Sequence, residues 1–171
     1  SLLRDEKEYP IEMEKSLIHL IKKGDFARAR GVADCYFDWL ISSGKNEGIN
    51  IKTRVFEIII QIEDTAFSMG VKGCHFRYRG NYLQQIMECS HNEQLKTWFL
   101  KKIGEVCRNI IVNKEEESDS IITKAQEYIE RYYYKGISLD DVSREVDISP
   151  YYFSKLFKEE TGENFIDYLT N

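Results

Sequence analysis

Proline is nearly missing from this chain, with 2 in 171 residues, and glycine is held to 10. Collagen-like and heavily looped architectures are thereby excluded. Long apolar runs are missing as well: Ile58-Ile59-Ile60 is as long as any, against the roughly 18 residues a membrane span needs. The opening Ser1-Leu2-Leu3-Arg4-Asp5-Glu6-Lys7-Glu8 has neither the apolar core nor the cleavage pattern of a signal peptide. Without an initiator Met, an excised fragment is expected. The 4 Cys (35, 74, 89 and 107) form no C-x-x-C pair, so reduced thiols in a cytoplasm are expected. An excess of basic charge is lacking too. With 24 Lys/Arg against 29 Asp/Glu the net charge is −5, the opposite sign to that usual for a nucleic-acid binder.

What the chain has is apolar mass. Hydrophobic residues make up 42%, and 9 Phe, 11 Tyr and 2 Trp fill a core that an intrinsically disordered chain does not have. The apolar period is helical almost throughout and nowhere alternates as a half-buried strand does. Pro10 can open a helix with Ile11, Met13, Leu17, Ile18, Leu20 and Ile21, ending at Gly24. His19 sits on it as a boundary residue. Asp25 caps the next helix, whose stripe of Phe26, Ala29, Val32, Ala33, Tyr36, Phe37 and Leu40 ends near Ser42-Ser43-Gly44. After a polar loop, 44–48, a third stripe of Ile51, Val55, Ile58, Ile59, Ile62, Ala66 and Met69 closes at Gly70. Residues 70–80 are irregular. A short helix with Tyr82, Leu83, Ile86 and Met87 follows, then a strong one with Leu95, Trp98, Phe99, Ile103, Val106, Cys107, Ile110 and Ile111. The stretch 114–120 is charged and without an apolar residue. It is a domain boundary or a solvated piece of continuous helix.

Catalysis finds no support: there is no nucleophile elbow and no His-Glu-x-x-His. Gly70, Gly73 and Gly80 form no phosphate-cradling loop, so no cofactor is expected. Cys74, His75, Cys89 and His91 match no common zinc spacing and are taken as buried thiols and exposed imidazoles. Tyr132-Tyr133-Tyr134 can stack on bases, but at helical spacing they cannot share one face. Core or boundary packing is the expectation for them, as for Trp98 and Phe99.

The last third differs. Ile121, Ile122, Ala125, Tyr128, Ile129 and Tyr132 make one helical face ended by Gly136. Ser138 caps a short helix with Leu139, Val142 and Val146 inward and Asp141 facing the dipole. Asp147-Ile148 turns the chain, and Ser149-Pro150 restarts a helix as hydroxyl cap plus first-position proline. Phe153, Leu156 and Phe157 form its inner face. Asn164 and Asp167 start another helix. Two short helices joined by a tight turn with Ile148 wedged between them form a helix-turn-helix pattern. The second helix then presents Tyr151, Tyr152, Ser154, Lys155 and Lys158 outward.

The run from Ser138 to Gly162, with its Ser-Pro-x-x-Phe-Ser-x-x-Phe-Lys-x-x-x-Gly spacing, closely resembles the first helix-turn-helix of AraC-type transcription regulators. Phe165-Ile166-Asp167-Tyr168-Leu169 resembles the start of that family's linker helix. The resemblance implies an all-α protein: a helical regulatory or dimerisation domain over 1–117, then the first half of a DNA-binding domain over 118–171. It also implies double-stranded DNA, an operator, as the partner. Base edges would fall to Tyr151, Ser154 and Lys155, and the backbone to Ser149, Tyr152 and Lys158. Members carry two such units, and this chain stops at Asn171 before a second, so it resembles a truncated protein. Ser143 stands where the family favours Ala, and Asp147 where Gly is common.

More loosely, Glu8-Tyr9-Pro10-Ile11-Glu12, Leu17-Ile18 and Lys23-Gly24-Asp25 resemble the helical region of YesN-type two-component response regulators. That implies a homodimer and an upstream receiver, or a membrane sensor in a related subgroup, neither being part of this chain. This segment itself would touch no membrane. The competing readings are a helical protein-interaction module and a small-ligand sensor with a pocket near Trp98 and Phe99. Against DNA stands the charge of residues 121–171, six Lys/Arg to ten Asp/Glu. The acids Asp140, Asp141, Glu145, Glu159, Glu160, Glu163 and Asp167 fall mostly off the outward face, and local sign on that face outweighs the net.

Overall fold

The computed structural model describes residues 9–47, 50–72 and 79–171, with the side chains of 44–47 left aside. The protein is all-α, and no strand occurs among the described residues. Nor is any helix there long and apolar enough to cross a membrane. By packing the chain divides into unit 1, Ser1–Asn113, and unit 2, Lys114–Asn171.

Unit 1 begins with α1 (Ile11–Lys22), which buries Leu17 and Ile21. Ile11 and His19 are exposed, contrary to the expected apolar and boundary roles. Gly24 follows with φ 71, and a Cβ there would lie 2.6 Å from the Ile111 side chain. Glycine is therefore needed twice over, for the left-handed backbone and for the close approach. In α2 (Phe26–Glu47) the Asp25 carboxylate accepts from Arg28 N–H at 3.2 Å, as a cap should. Ala29, Ala33, Tyr36, Phe37 and Leu40 are fully buried. The helix does not stop near Ser42-Ser43-Gly44 but runs to Glu47, through most of the expected loop. One glycine costs a propagating helix only about 1 kcal/mol, and no proline breaks it.

The Asn50 side chain caps α3 (Ile51–Ser68) by accepting from Thr53 N–H at 3.1 Å. Val55, Ile58, Ile59, Ile62 and Ala66 lie in the core. In α4 (Arg79–Glu88) only Tyr82 and Ile86 turn inward. Leu83 and Met87 are exposed, because so short a helix meets its neighbours along one i, i+4 line. The long helix α5 (Asn92–Tyr132) supplies Leu95, Phe99, Ile103, Val106, Cys107 and Ile110 to this core, whereas Ile111 is exposed. Phe99 is fully buried against the rings of Tyr36 (6.3 Å) and Phe37 (6.1 Å). Trp98 is half-buried, and its indole N–H donates to Gln85 at 2.7 Å. The charged stretch 114–120 is helical within α5, and the 117/118 position expected to divide the domains falls inside that helix.

Polar groups also enter this core, which no apolar period foretells. Arg54 donates to Tyr9 Oη (2.7 Å), Glu14 (2.7 Å) and Glu57 (2.7 Å), and Tyr9 also bonds Glu14 and Tyr36. Burial pushes the Tyr9 and Tyr36 phenols up. Cys107 is buried, and desolvation pushes its thiol up to about 11. Cys35 is exposed, and Cys89, expected to be a buried thiol, is half-exposed though packed against the core. Cys35 lies off the apolar stripe of α2, and Cys89 follows the end of α4. Cys74 and His75 lie outside the described residues.

In unit 2, α5 contributes Ile122, Ala125 and Ile129. A 3-10 turn, Tyr133–Lys135, follows and ends at Gly136 (φ 70). Then come α6 (Leu139–Glu145), α7 (Pro150–Thr161) and α8 (Phe165–Thr170). Val142, Val146, Phe153, Leu156, Phe157 and Phe165 close a second core, with the three Phe rings 5.5 to 5.9 Å apart.

Candidate nucleic-acid interface

The local chemistry of unit 2 sets where α7 begins and which way it faces. A reciprocal capping box holds the start of α6. Ser138 Oγ accepts from Asp141 N–H at 3.2 Å, while the Asp141 carboxylate accepts from Ser138 N–H at 2.9 Å. Those bonds hold the Asp141 carboxyl below its usual range. Val146 closes α6, and Asp147 takes a left-handed φ of 61 to make the turn. Ile148 packs against the second core but is only half-buried, so the wedge is a lid on the turn more than a plug within it. Ser149 Oγ then accepts from Tyr152 N–H at 3.2 Å, with Pro150 at the first helical position. Ser143 is buried and donates to Asp140 O at 3.1 Å, which explains how a hydroxyl sits where a methyl would do.

With Phe153, Leu156 and Phe157 buried, the opposite side of α7 is open. Tyr151 is 82% exposed and Tyr152 49%, and Lys155 and Lys158 are exposed. Ser149 is exposed at the helix start, its oxygen engaged as the cap. Ser154 differs from the others. It is half-buried and lines an apolar groove of about 470 Å³ with Ile137, Leu139, Phe165, Ile166 and Leu169. Tyr151, Lys155 and Lys158 thus share one strip, with Tyr152 on one flank and Ser154 on the other.

The charge distribution carries a signal that net charge conceals. Lys124, Arg131, Lys135, Arg144, Lys155 and Lys158 are all exposed, and among the described residues none has a carboxylate within 4.0 Å. Unit 1 pairs some of its cations internally, Arg54 with Glu14 and Glu57 and Lys96 with Asp34 and Asp38, while the exposed Lys23, Arg30, Lys101 and Arg108 have no carboxylate within 4.0 Å among the described residues. Every unpaired ammonium or guanidinium can meet an outside anion without first breaking an internal pair. The ten acids of residues 121–171 leave those six cations unneutralised in this sense, which sequence counting alone does not reveal.

Among the described residues no three His, Cys, Asp or Glu side chains converge on a metal position. No family model matches the chain, and no solved structure matches it. One curated protein does: the regulatory protein PocR of Salmonella typhimurium strain LT2 is 47% identical over 47 residues. The stretch covers 28% of this chain and 16% of that protein, so the likeness is partial and is to a regulatory protein.

Proposed function

We propose that this chain is part of a sequence-specific DNA-binding transcription regulator, with α7 lying in a major groove. The observation that carries the reading is the open strip of α7. Tyr151, Lys155 and Lys158 stand in solvent on a helix whose start is held by Ser149 and Pro150 and whose back is locked by Phe153 and Phe157. A rigid helix with exposed donors costs little ordering on binding. Tyr151, Ser154 and Lys155 read base edges, Lys155 donating to guanine with less discrimination than a bidentate arginine. Ser149, Tyr152 and Lys158 hold phosphates and so set register. The partial likeness to PocR, a regulatory protein, supports the same class. No catalytic step, cofactor or metal enters this reading, which places the protein in the cytoplasm.

Unit 1 is the regulatory or dimerisation part in this proposal, receiving its signal from an upstream receiver or sensor as in two-component response regulators. The reading is tested by a salt-dependent titration of the full-length protein on duplexes selected from a random-sequence pool. Lys155→Ala and Tyr151→Ala should each lose about 1–3 kcal/mol of discrimination between selected and pool DNA. An unchanged profile for both variants removes the site assignment.

A further inference from the structure

The turn between α5 and α6 holds a group that the reading helix does not use. Tyr133 and Tyr134 are 61% and 74% exposed, so the expected core or boundary packing fails for both. Lys135 Nζ lies 5.4 Å from the ring centroid of Tyr132 and 5.8 Å from that of Tyr134. No carboxylate pairs with it among the described residues. Two ring faces therefore hold the ammonium in place while leaving it free for an anion. Large exposed phenols beside an unpaired cation have no packing purpose, yet they are donors suited to a phosphate oxygen.

Their position bears on the reading helix. Gly136 turns the chain in the left-handed region directly after Lys135. Ile137, Ser138 and Leu139 then line one groove with Ser154 of α7. The turn bearing Tyr134 and Lys135 thus adjoins the Ser154 flank of α7. Stacking of bases on these rings does not fit, because successive residues of a 3-10 turn point about 120° apart and offer no parallel faces.

We infer that Tyr134 and Lys135 form a second phosphate-contact site, gripping the duplex backbone beside the groove that α7 enters. The inference rests on the DNA-reading proposal above. It names two residues and a sequence-independent role: Lys135 neutralises a phosphate, and the Tyr134 hydroxyl donates to it.

The test is a salt series on full-length protein carrying Lys135→Gln, Tyr134→Phe or Lys155→Ala, each against a selected duplex and the random-sequence pool. Lys135→Gln should weaken both duplexes equally, by roughly three- to tenfold near 0.1 M salt, and lower the slope of log K against log salt by about 0.9. Tyr134→Phe should weaken both by a smaller common factor, and Lys155→Ala should reduce discrimination instead. If Lys135→Gln leaves both affinities and the slope unchanged while Lys155→Ala still acts, the second site is wrong and the reading helix stands. A change of sedimentation coefficient in Lys135→Gln with DNA binding intact would reassign the patch to a protein partner and overturn the inference. If the wild-type protein selects no duplex, the DNA reading itself fails and takes this site with it.

Discussion

Asp147 is, among the described residues, the one non-glycine with positive φ, at 61. A left-handed conformation costs an L-residue roughly 1–2 kcal/mol, less for Asp because its short side chain is tolerated there. Asp147→Gly should therefore raise thermal stability by up to about 1 kcal/mol, and Asp147→Val should lower it by more, both read by thermal melts. Glu63 poses a different problem. It is 4% exposed, its Oε2 accepts from Tyr82 Oη at 2.7 Å, and its Oε1 has no hydrogen-bond partner. Desolvation pushes its carboxyl up, against the Tyr82 bond and the charges of Lys102 and Arg79 that pull it down, while Asp64 adds to the rise. A raised acid binds its proton more tightly folded than unfolded. Stability should then fall as pH climbs from about 4.5 toward the folded value and level off above it. Glu63→Gln should flatten that slope, and melting curves across acid to neutral buffers decide it.

At the scale of elements, caps and stripes do most of the specification. Asp25, Asn50, Ser138, Ser149 and Asn164 each accept from the backbone N–H three residues on, so each marks a helix start in the sequence itself. The seven-residue α6 has too few internal bonds to hold alone, so Ser138→Ala should destabilise the protein by about 1 kcal/mol, measured by thermal or denaturant melts. Lowering the pH should remove the partner contribution of Asp141, whose depressed carboxyl keeps its bond to Ser138 N–H until the pH passes its folded value. The stripe of α2 and the inward aromatics of α7 are legible for the same local reason: period and spacing are properties of one helix. Less legible are the exposed Leu83, Met87 and Ile111, which lie on apolar positions of their helices yet stay largely in solvent, Ile111 touching the Gly24 turn with part of its side chain. Equally hidden is the continuity of α5, because a solvated charged stretch and a linker look alike until the backbone is traced.

For the whole molecule, the proposal includes a homodimer, which would place two reading helices on one duplex. Unit 1 leaves Ile11, Leu83, Met87, Ile111 and Val112 exposed, apolar surface on which such pairing would rest. Sedimentation velocity of the full-length protein should show dimers, and a strict monomer under all conditions, DNA included, would remove the dimer from the proposal. Under the DNA-binding proposal, the net charge of −5 means that the duplex would be approached against a mean repulsion. Binding must then depend on the local, unpaired cations of unit 2, and should weaken steeply as salt rises.

The residue order alone determined that the protein is helical, where most helices begin, and that α7 turns Phe153, Leu156 and Phe157 away from Tyr151 and Lys155. These follow from hydrogen bonds and periods that span three or four residues. Only the tertiary structure decided that Glu14 and Glu63 are buried, that Ser154 leans into a groove, and that the cations of unit 2 stand without carboxylate partners. Each of those depends on which distant side chains come within a few ångströms, and distances across helices are not written in the spacing along one.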